Sequence, residues 1–334
     1  MNKKPCIAVD GMGGDRGPEV AVRGAIKAVQ TGQVDVVLVG DENKLKKILA
    51  KHKLDVPIPI VSATQVVGMA EKPSEALRKK DSSIQKAFLL ARQGKVDGVV
   101  SAGNSGATLA CGMFTVGRIK GIERPALASI LPTEKDPVIL IDVGANVDCK
   151  PFHLLQFGLM AEVFARSVLN VSNPRVALLT IGEEEGKGNA LVRESTALFK
   201  DSNFNFIGNV EGRDIFKGKA DVIVCDGFVG NVALKLMEGL AVSLTKLLKK
   251  EIKQSLLAKL GFLLSRTALK RFGKKIDYAE YGGALLLGLK KIALICHGAS
   301  SSKAIKNAIL LAGSFVERQT NVYLEKGIKQ YYHS

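Results

Sequence analysis

The 334-residue chain predicts an α/β fold: an open, mostly parallel sheet wrapped by helices, with a long helical arm in its last third. Three observations carry that expectation. An apolar run ending in Gly with Asn or Asp recurs five times, at IAVDGMGGD (7–15), VVSAGNSGA (99–107), ILIDVGANVD (139–148), LLTIGEEEGKGN (178–189) and VIVCDGFVGN (222–231). Segments of helical periodicity separate these runs, which is the alternation of a parallel sheet. From Phe228 the pattern changes to a nearly unbroken helix-forming stretch, 232–275, with possible breaks at Gly239, Gly261 and Gly273.

In order, CIAVD (6–10) reads as the first buried strand, and Pro18 opens a helix whose apolar face is Ala21, Val22, Ala25, Ile26 and Val29. VDVVLVG (34–40) and a helix from Glu42 to His52 form the second unit. The next stretch is irregular until Ser82, and Lys86 to Gln93 is helical. A strand at Val99-Val100 then leads through a small-residue turn into a helix from Gly106 to Gly117. Residues 126–133 and 137–144 look like paired strands, and Pro151 starts a helix reaching Leu169. Strands follow at 175–182, 204–209 and 220–227; after the arm come short strands and a last helix from Ser302 to Gln319.

The net charge is +16, from 48 basic and 32 acidic residues, so an anionic partner is expected: nucleic acid, anionic lipid, a phosphorylated substrate or an acidic protein. Trp is absent and aromatics make up 5%, which argues against a base-stacking surface. Cys6, Cys111, Cys149, Cys225 and Cys296 are scattered without a CxxC or Cys/His cluster, so neither a disulfide framework nor a metal site is supported. The basic start is followed by too short an apolar run for a signal peptide, and no window approaches the roughly 18 apolar residues of a membrane span. A cytoplasmic protein is expected.

In an open parallel sheet, loops leaving strand C-termini share one edge, where ligands bind. The five loops are therefore expected to build one polar cleft. The turn 101–106 suits an anion, because the first N–H groups of a helix lack internal partners and carry the positive end of its dipole. Asp10, Gly13, Gly14, Ser101, Gly103, Asn104, Ser105, Gly106, Asp142 and Asn146 are the expected substrate-binding set. Lys187 between Gly186 and Gly188, with Asn189, Asn231 and His297, completes a kit for phosphate and an oxyanion, and Asp226 could accept a proton. Neighbouring signatures fail on detail. Arg16 occupies the last Gly place of a dinucleotide fingerprint, and Gly182 to Gly188 is one residue short of a P-loop and lacks its Ser/Thr. GNSGA (103–107) approximates a nucleophile elbow, with Ala107 in place of its final Gly. A nicotinamide dehydrogenase and a basic nucleic-acid-binding protein remain competing readings. Lys72, Arg78, Lys79 and Lys80 serve equally as a solvated face or an anion dock. Around 256–272, Leu256, Leu257, Leu260, Leu263 and Leu264 share one face while Phe262 and Leu269 fall on another, a pattern for dimer packing, a membrane surface, or both.

AVDGMGGDRGP, EKPSEALRKKDSS, VVSAGNSGA, DVGANVDCKP, EEEGKGN, CDGFVGN, YGGALLLG and HGASSSKAIKNAI, in this order, closely resemble the bacterial acyl-carrier-protein:phosphate acyltransferases of phospholipid synthesis. The resemblance runs nearly end to end. It implies a single α/β catalytic unit over 1–334, with 232–275 as an arm within it, on a fold similar to isocitrate and isopropylmalate dehydrogenases and phosphotransacetylases. It also implies the reaction of acyl-ACP with phosphate to give acyl phosphate and ACP. Neither a cofactor nor a metal is implied. On this reading Lys187 meets phosphate, Asn104 and Ser105 line its loop, Asn189 and Asn231 face the oxyanion, and His297 or Asp226 handles the proton. Lys72, Arg78, Lys79 and Lys80 would dock the acidic carrier. A homodimer, contact of 256–272 with the inner face of the membrane, and a membrane glycerol-phosphate acyltransferase as next enzyme complete the expectation. Nucleic acid has no place in it.

Overall fold

A computed structural model describes residues 3–52, 56–276 and 282–333. Tyr281, at the head of the YGGALLLG motif, lies outside them. The chain runs β1 (Cys6–Asp10), α1 (Pro18–Val29), β2 (Asp35–Gly40), α2 (Glu42–Leu49), β3 (Ile60–Ser62), α3 (Pro73–Ala76), α4 (Ser83–Arg92), β4 (Gly98–Ser101) and α5 (Ser105–Thr115). It continues through β5 (Ala126–Leu131), β6 (Val138–Ile141), α6 (Pro151–Val168), β7 (Arg175–Thr180), α7 (Ala190–Lys200), β8 (Asn205–Glu211) and β9 (Val222–Val224). The last third holds α8 (Gly227–Gln254), α9 (Leu256–Leu264), α10 (Arg266–Ile276), β10 (Ala284–Leu287), β11 (Ile292–Ile295), α11 (Ser302–Glu317) and α12 (Thr320–His333).

The eleven strands among the described residues join one sheet, ordered β3-β2-β1-β4-β11-β10-β5-β6-β9-β7-β8. Its central strands are continuous apolar runs because helices cover both faces: β4, β6, β9 and β11 are buried at every position. One apolar layer packs α1, α6, α11 and α12 against the sheet, and a second packs α4 and α5 on the other face.

The loops do not share the single edge expected of them. Three antiparallel pairings, β11–β10, β10–β5 and β5–β6, separate two parallel groups. Consequently β6, β9, β7 and β8 run opposite to β3, β2, β1, β4 and β11. The β1, β4 and β11 loops leave one edge of the sheet, and the β6, β7 and β9 loops leave the other. They still approach each other, because the pairing register sets Val100, Leu294, Leu285, Ala128 and Ile141 in one row across the sheet. Strands of both groups thus end near the same level.

The arm departs from expectation at its joints. Its breaks fall at Ser255 and Ser265, not at the glycines. Ser255 has extended backbone and its hydroxyl accepts from the Ala258 N–H, so a capping side chain starts the new helix. Gly239 and Gly261 sit inside helices, where glycine costs only about 1 kcal/mol against Ala. A second correction concerns length: α8, with mean hydropathy 1.3 over its most apolar window, is long and apolar enough to cross a membrane by composition alone. Lys235 and Glu238 nevertheless form an ion pair in its middle. The chain also ends in a helix beyond the expected last one. Only Leu324 and Ile328 of α12 supply deeply buried apolar side chains, too few to show as a period. Tyr332 secures its end with a hydroxyl bonded to the Gln156 amide at 2.7 Å.

Candidate active site

The first bank of the site is built by Asp10 and Ser101. Asp10 Oδ1 accepts from the N–H groups of Met12 and Gly13, both at 3.2 Å. Ser101 Oγ donates to Asp10 Oδ2 at 2.8 Å and accepts from Gly103 N at 3.0 Å. The β1 and β4 loops are thereby locked together. The approach is so close that a Cβ on Gly13 would lie 2.7 Å from both Asp10 Oδ2 and Gly103 N. Gly14, at φ +96°, adopts backbone open to glycine. Asn104 caps α5, its Oδ1 accepting from Ala107 N at 3.0 Å, while its amide donates to the carbonyls of Met69 and Glu71 at 2.8 Å. Asp10, Ser101 and Asn104 are thus engaged in holding backbone. Ser105, exposed on the first turn of α5 beside Gly106, is the group they present.

The second bank is organised by Asp142, which has no exposed surface. Its Oδ1 accepts from Leu127 N and Ala145 N at 3.0 Å and Gly144 N at 3.2 Å; its Oδ2 accepts from Asn146 N at 2.7 Å and Asn146 Nδ2 at 2.8 Å. Burial pushes this carboxyl above its ordinary value, and the Ala145, Asn146 and Leu127 donors pull it back. Asn146 spans to the Pro125 carbonyl as well, so Asp142 and Asn146 shape the loop from within. Asp226, expected as a proton handler, engages backbone through one of its oxygens. Its Oδ1 accepts from Phe228 N and Val229 N at 2.9 Å and caps α8. Gly227 and Gly230 let that helix start against the loop, where a Cβ would come 2.6 Å from Asn146 O and 1.9 Å from Asp142 O respectively. Asn231 then stands over Gly144.

Between the banks lies a cavity of about 910 Å³. Its polar lining includes Gly103, Ser105, Asp15, Asn231 and His297, and two residues absent from the sequence-derived set, Lys235 and Glu238. Lys235 Nζ lies 2.9 Å from Glu238 Oε2, and His297 Nε2 lies 4.0 Å from the same oxygen. His297 Nδ1 accepts from Ala299 N at 3.1 Å, so the neutral ring carries its proton on Nε2, the atom nearest Glu238. The signal available in the sequence was a Lys–Glu pair three apart within an apolar helix. The remaining lining is mainly apolar, from β5 and one stripe of α8, with Ser129, Thr133, Glu134, Thr245 and Ser300 among it.

Lys187 and Asn189 do not line this cavity. They stand on the β7–α7 loop, beside the loop that starts α8, since β7 neighbours β9 in the sheet. Asn189 Oδ1 caps α7 by accepting from Val192 N at 2.9 Å. Gly186 and Gly188, at φ +91° and +104°, flank Lys187, whose side chain lies over Gly182. Lys200 pairs with Glu185 and Lys219 with Glu183, whereas Lys187 is exposed and makes no ion pair among the described residues. Beneath Gly188, the buried Thr180 hydroxyl has no hydrogen-bond partner. Of the basic cluster, Lys72, Arg78 and Lys80 are exposed, but Lys79 is tied to Glu71 at 2.6 Å and the Val66 carbonyl at 2.7 Å. It braces the loop that Asn104 holds.

Residues 6–323 match a family model described as a fatty acid synthesis protein. The phosphate acyltransferase of Nitratidesulfovibrio vulgaris is 60% identical over 94% of this chain and 92% of its own length. That of Syntrophotalea carbinolica is 55% identical over 96% and 93%. Among solved structures, a phosphotransacetylase from Streptococcus pyogenes superposes with a TM-score of 0.63 at 17% identity, covering 95% of each chain. A 4-hydroxythreonine-4-phosphate dehydrogenase from Klebsiella pneumoniae gives 0.55 at 16%, covering 93% of this chain and all of that one (100%). These structures share the fold.

Proposed function

The chain belongs to the phosphate acyltransferase family, and from that premise we propose that its cleft passes a fatty acyl group from acyl-carrier protein to inorganic phosphate. A phosphate oxygen attacks the thioester carbonyl carbon, the tetrahedral oxyanion collapses, and the C–S bond breaks. The products are acyl phosphate and the carrier thiol. A thiolate leaves readily, so the protein's main work is holding a dianion against the acyl carbon and stabilising the oxyanion. The observation that carries this reading is one cavity in which Ser105 at a helix start, Asn231 and His297 meet a wall of apolar side chains.

In this reading the α5 N-terminus and Ser105 receive phosphate, with Lys187 reaching in from the β7–α7 loop. Its flanking glycines, its lack of an ion pair among the described residues and the unpartnered Thr180 hydroxyl support that role. Asn231 donates to the oxyanion. His297 Nε2–H, steered by Glu238, donates a hydrogen bond to the departing sulfur, and the thiolate takes up the proton that the attacking phosphate sheds. Arg78, Lys80 and Lys72 draw in the acidic carrier. We place the protein in the cytoplasm as a homodimer, with 256–272 touching the inner face of the membrane and delivering product to a glycerol-phosphate acyltransferase there. Leu256 and Leu257, each 82% exposed, beside Lys259, Arg266 and Lys270, support a surface-seeking arm. The test is phosphate-dependent release of ACP thiol from palmitoyl-ACP by the intact protein. Release that requires phosphate supports the reading; no release at any phosphate concentration overturns it.

A further inference from the structure

Beyond Met237 the α8 helix stands away from the sheet. Of its 28 residues only Gly227 and Gly230 are buried, both in the first turn. An ordinary helix following a strand packs its whole apolar stripe on the sheet; here Leu234 and Met237 touch the core at the rim of a gap, and Ala241, Leu244 and Leu248 face that gap instead. The opposite wall is β5, with Leu127, Ser129, Ile130 and Leu131, continued by Pro132, Thr133 and Glu134. The gap opens directly onto Ser105, His297 and Asn231.

The lining changes character along α8. Asn231, Lys235 and Glu238 form its polar part. Past Glu238, the helix contributes Leu240, Ala241, Leu244, Thr245 and Leu248 and no charge, although Lys246, Lys249 and Lys250 lie on the same helix. Phe216 and Phe272 stand among the other lining groups. Ser129, Thr133 and Glu134 are the polar groups of the facing side, and the Glu134 carboxylate repels a phosphate or nucleotide, while the apolar stripe of α8 leaves a peptide's polar groups unpaired. A polymethylene chain has none to lose.

We propose that this slot holds the acyl chain of the donor, and that Ala241, Leu244 and Leu248 gauge its length; the inference rests on the acyltransferase reading above. The dimensions suit it. Ten residues separate Glu238 from Leu248, about 15 Å at 1.5 Å per helical residue. An extended chain advances about 1.2 Å per bond, since three backbone bonds span about 3.5 Å, so that reach takes roughly a dozen methylenes. A cavity of about 910 Å³ lies within the roughly 300–1,000 Å³ of small-ligand sites. Each methylene moved from water into the slot changes kcat/KM about four-fold.

The experiment compares octanoyl-, dodecanoyl- and palmitoyl-ACP on the wild type, Ala241→Phe and Leu248→Phe, measuring kcat/KM by thiol release. None of these positions belongs to the reacting groups. A phenyl at 241 blocks the slot one turn past Glu238. It is expected to cut palmitoyl transfer by about 100-fold or more while changing octanoyl transfer less than about three-fold. Leu248→Phe, two turns further, is expected to lower only palmitoyl transfer, and by less. Retained octanoyl turnover shows that each variant is folded. Should Ala241→Phe fail to fold, Leu248→Phe and Leu244→Ala, the latter widening the preference toward longer chains, carry the test. A wild type inactive on all three donors refutes the acyltransferase reading itself. An active wild type whose variants lose all chain lengths equally, or none, refutes the slot alone. A variant with an unchanged chain-length profile but an altered sedimentation mass assigns the gap to a second copy of the chain and also refutes it.

Discussion

Replacing Asp142 tests whether the second bank is held from within. Its carboxylate has no exposed surface and accepts from four backbone N–H groups and the Asn146 amide, at 2.7 to 3.2 Å. Asp142→Ala strands all these donors. Single hydrogen bonds to a charged group contribute about 1.5–3 kcal/mol, but a sum over the set overshoots because water enters the gap. Removing one member of a buried charged network typically costs about 3–5 kcal/mol, so about 4 kcal/mol is expected. At about 2 °C per kcal/mol for a chain of this size, Tm falls roughly 8 °C. Asp142→Asn keeps the shape, but either amide orientation turns an NH₂ toward donors; about 2 kcal/mol is expected. Urea unfolding with an unchanged slope measures both, and amide exchange at 143–146 locates the loosening. Turnover should drop as well, since Asn231 rests against Gly144. An Asp142→Asn protein within about 0.5 kcal/mol of wild type, exchanging normally, would falsify the argument that this carboxylate builds the loop.

Lys187→Ala is expected to raise the phosphate requirement or cut turnover about ten-fold, roughly 1.4 kcal/mol; unchanged phosphate kinetics would return Lys187 to a solvated loop. Reversing Arg78 and Lys80 to Glu should raise KM for acyl-ACP at low salt and lose its effect at high salt, whereas Lys79→Ala should mainly lower stability. A KM indifferent to both charge and salt moves carrier docking elsewhere. Leu263→Glu with Phe262→Glu should abolish binding to anionic vesicles while leaving the dimer and solution activity intact; dissociation into monomers would make the arm a structural element first. Burial, then the Arg124 charge, depresses the His153 imidazole, so the fold favours its neutral form. Its contribution to stability is complete above the free-histidine value of about 6.5 and is lost as pH falls through the depressed value. His153→Gln should flatten the pH dependence of unfolding below about pH 6.5, and an unaltered slope would contradict the assignment.

Much of the scaffold was legible because its punctuation is chemical. Asp10, Asp142 and Asp226 each follow an apolar run and precede Gly-rich turns, which marks a loop that organises itself around a carboxylate. The same pattern cannot separate a side chain that binds substrate from one that binds its own backbone, because both present oxygen to N–H groups. The reversal of the second half-sheet was not legible. It depends on β10 and β5, short runs (ALLL, ALASIL) whose direction is fixed only by their neighbours. Lys235 and Glu238 are not marked in the sequence for a related reason: on a long helix a charged pair normally faces solvent, and here the gap beside α8 brings it to the cavity. Lys79 resembled Lys80 in sequence, yet Glu71 eight residues earlier claims it.

The way α8 is mounted has a mechanical consequence. It is clamped in its first turn, where Gly227 and Gly230 sit tight against the Asp142–Asn146 loop, rests on the core through Ala233, Leu234 and Met237, and has no buried residue along the rest. Its length of about 40 Å makes it a cantilever with α9 and α10 as the load at its free end. A tilt of about five degrees at the clamp displaces that end by roughly 3.5 Å, and the slot wall at Ala241 by roughly 1.5 Å. Force on the arm, from a bilayer or a second subunit, is therefore geared down into a small change of width beside the reacting groups. Conversely, a chain wedged under the helix lifts the arm by a larger amount than it opens the slot.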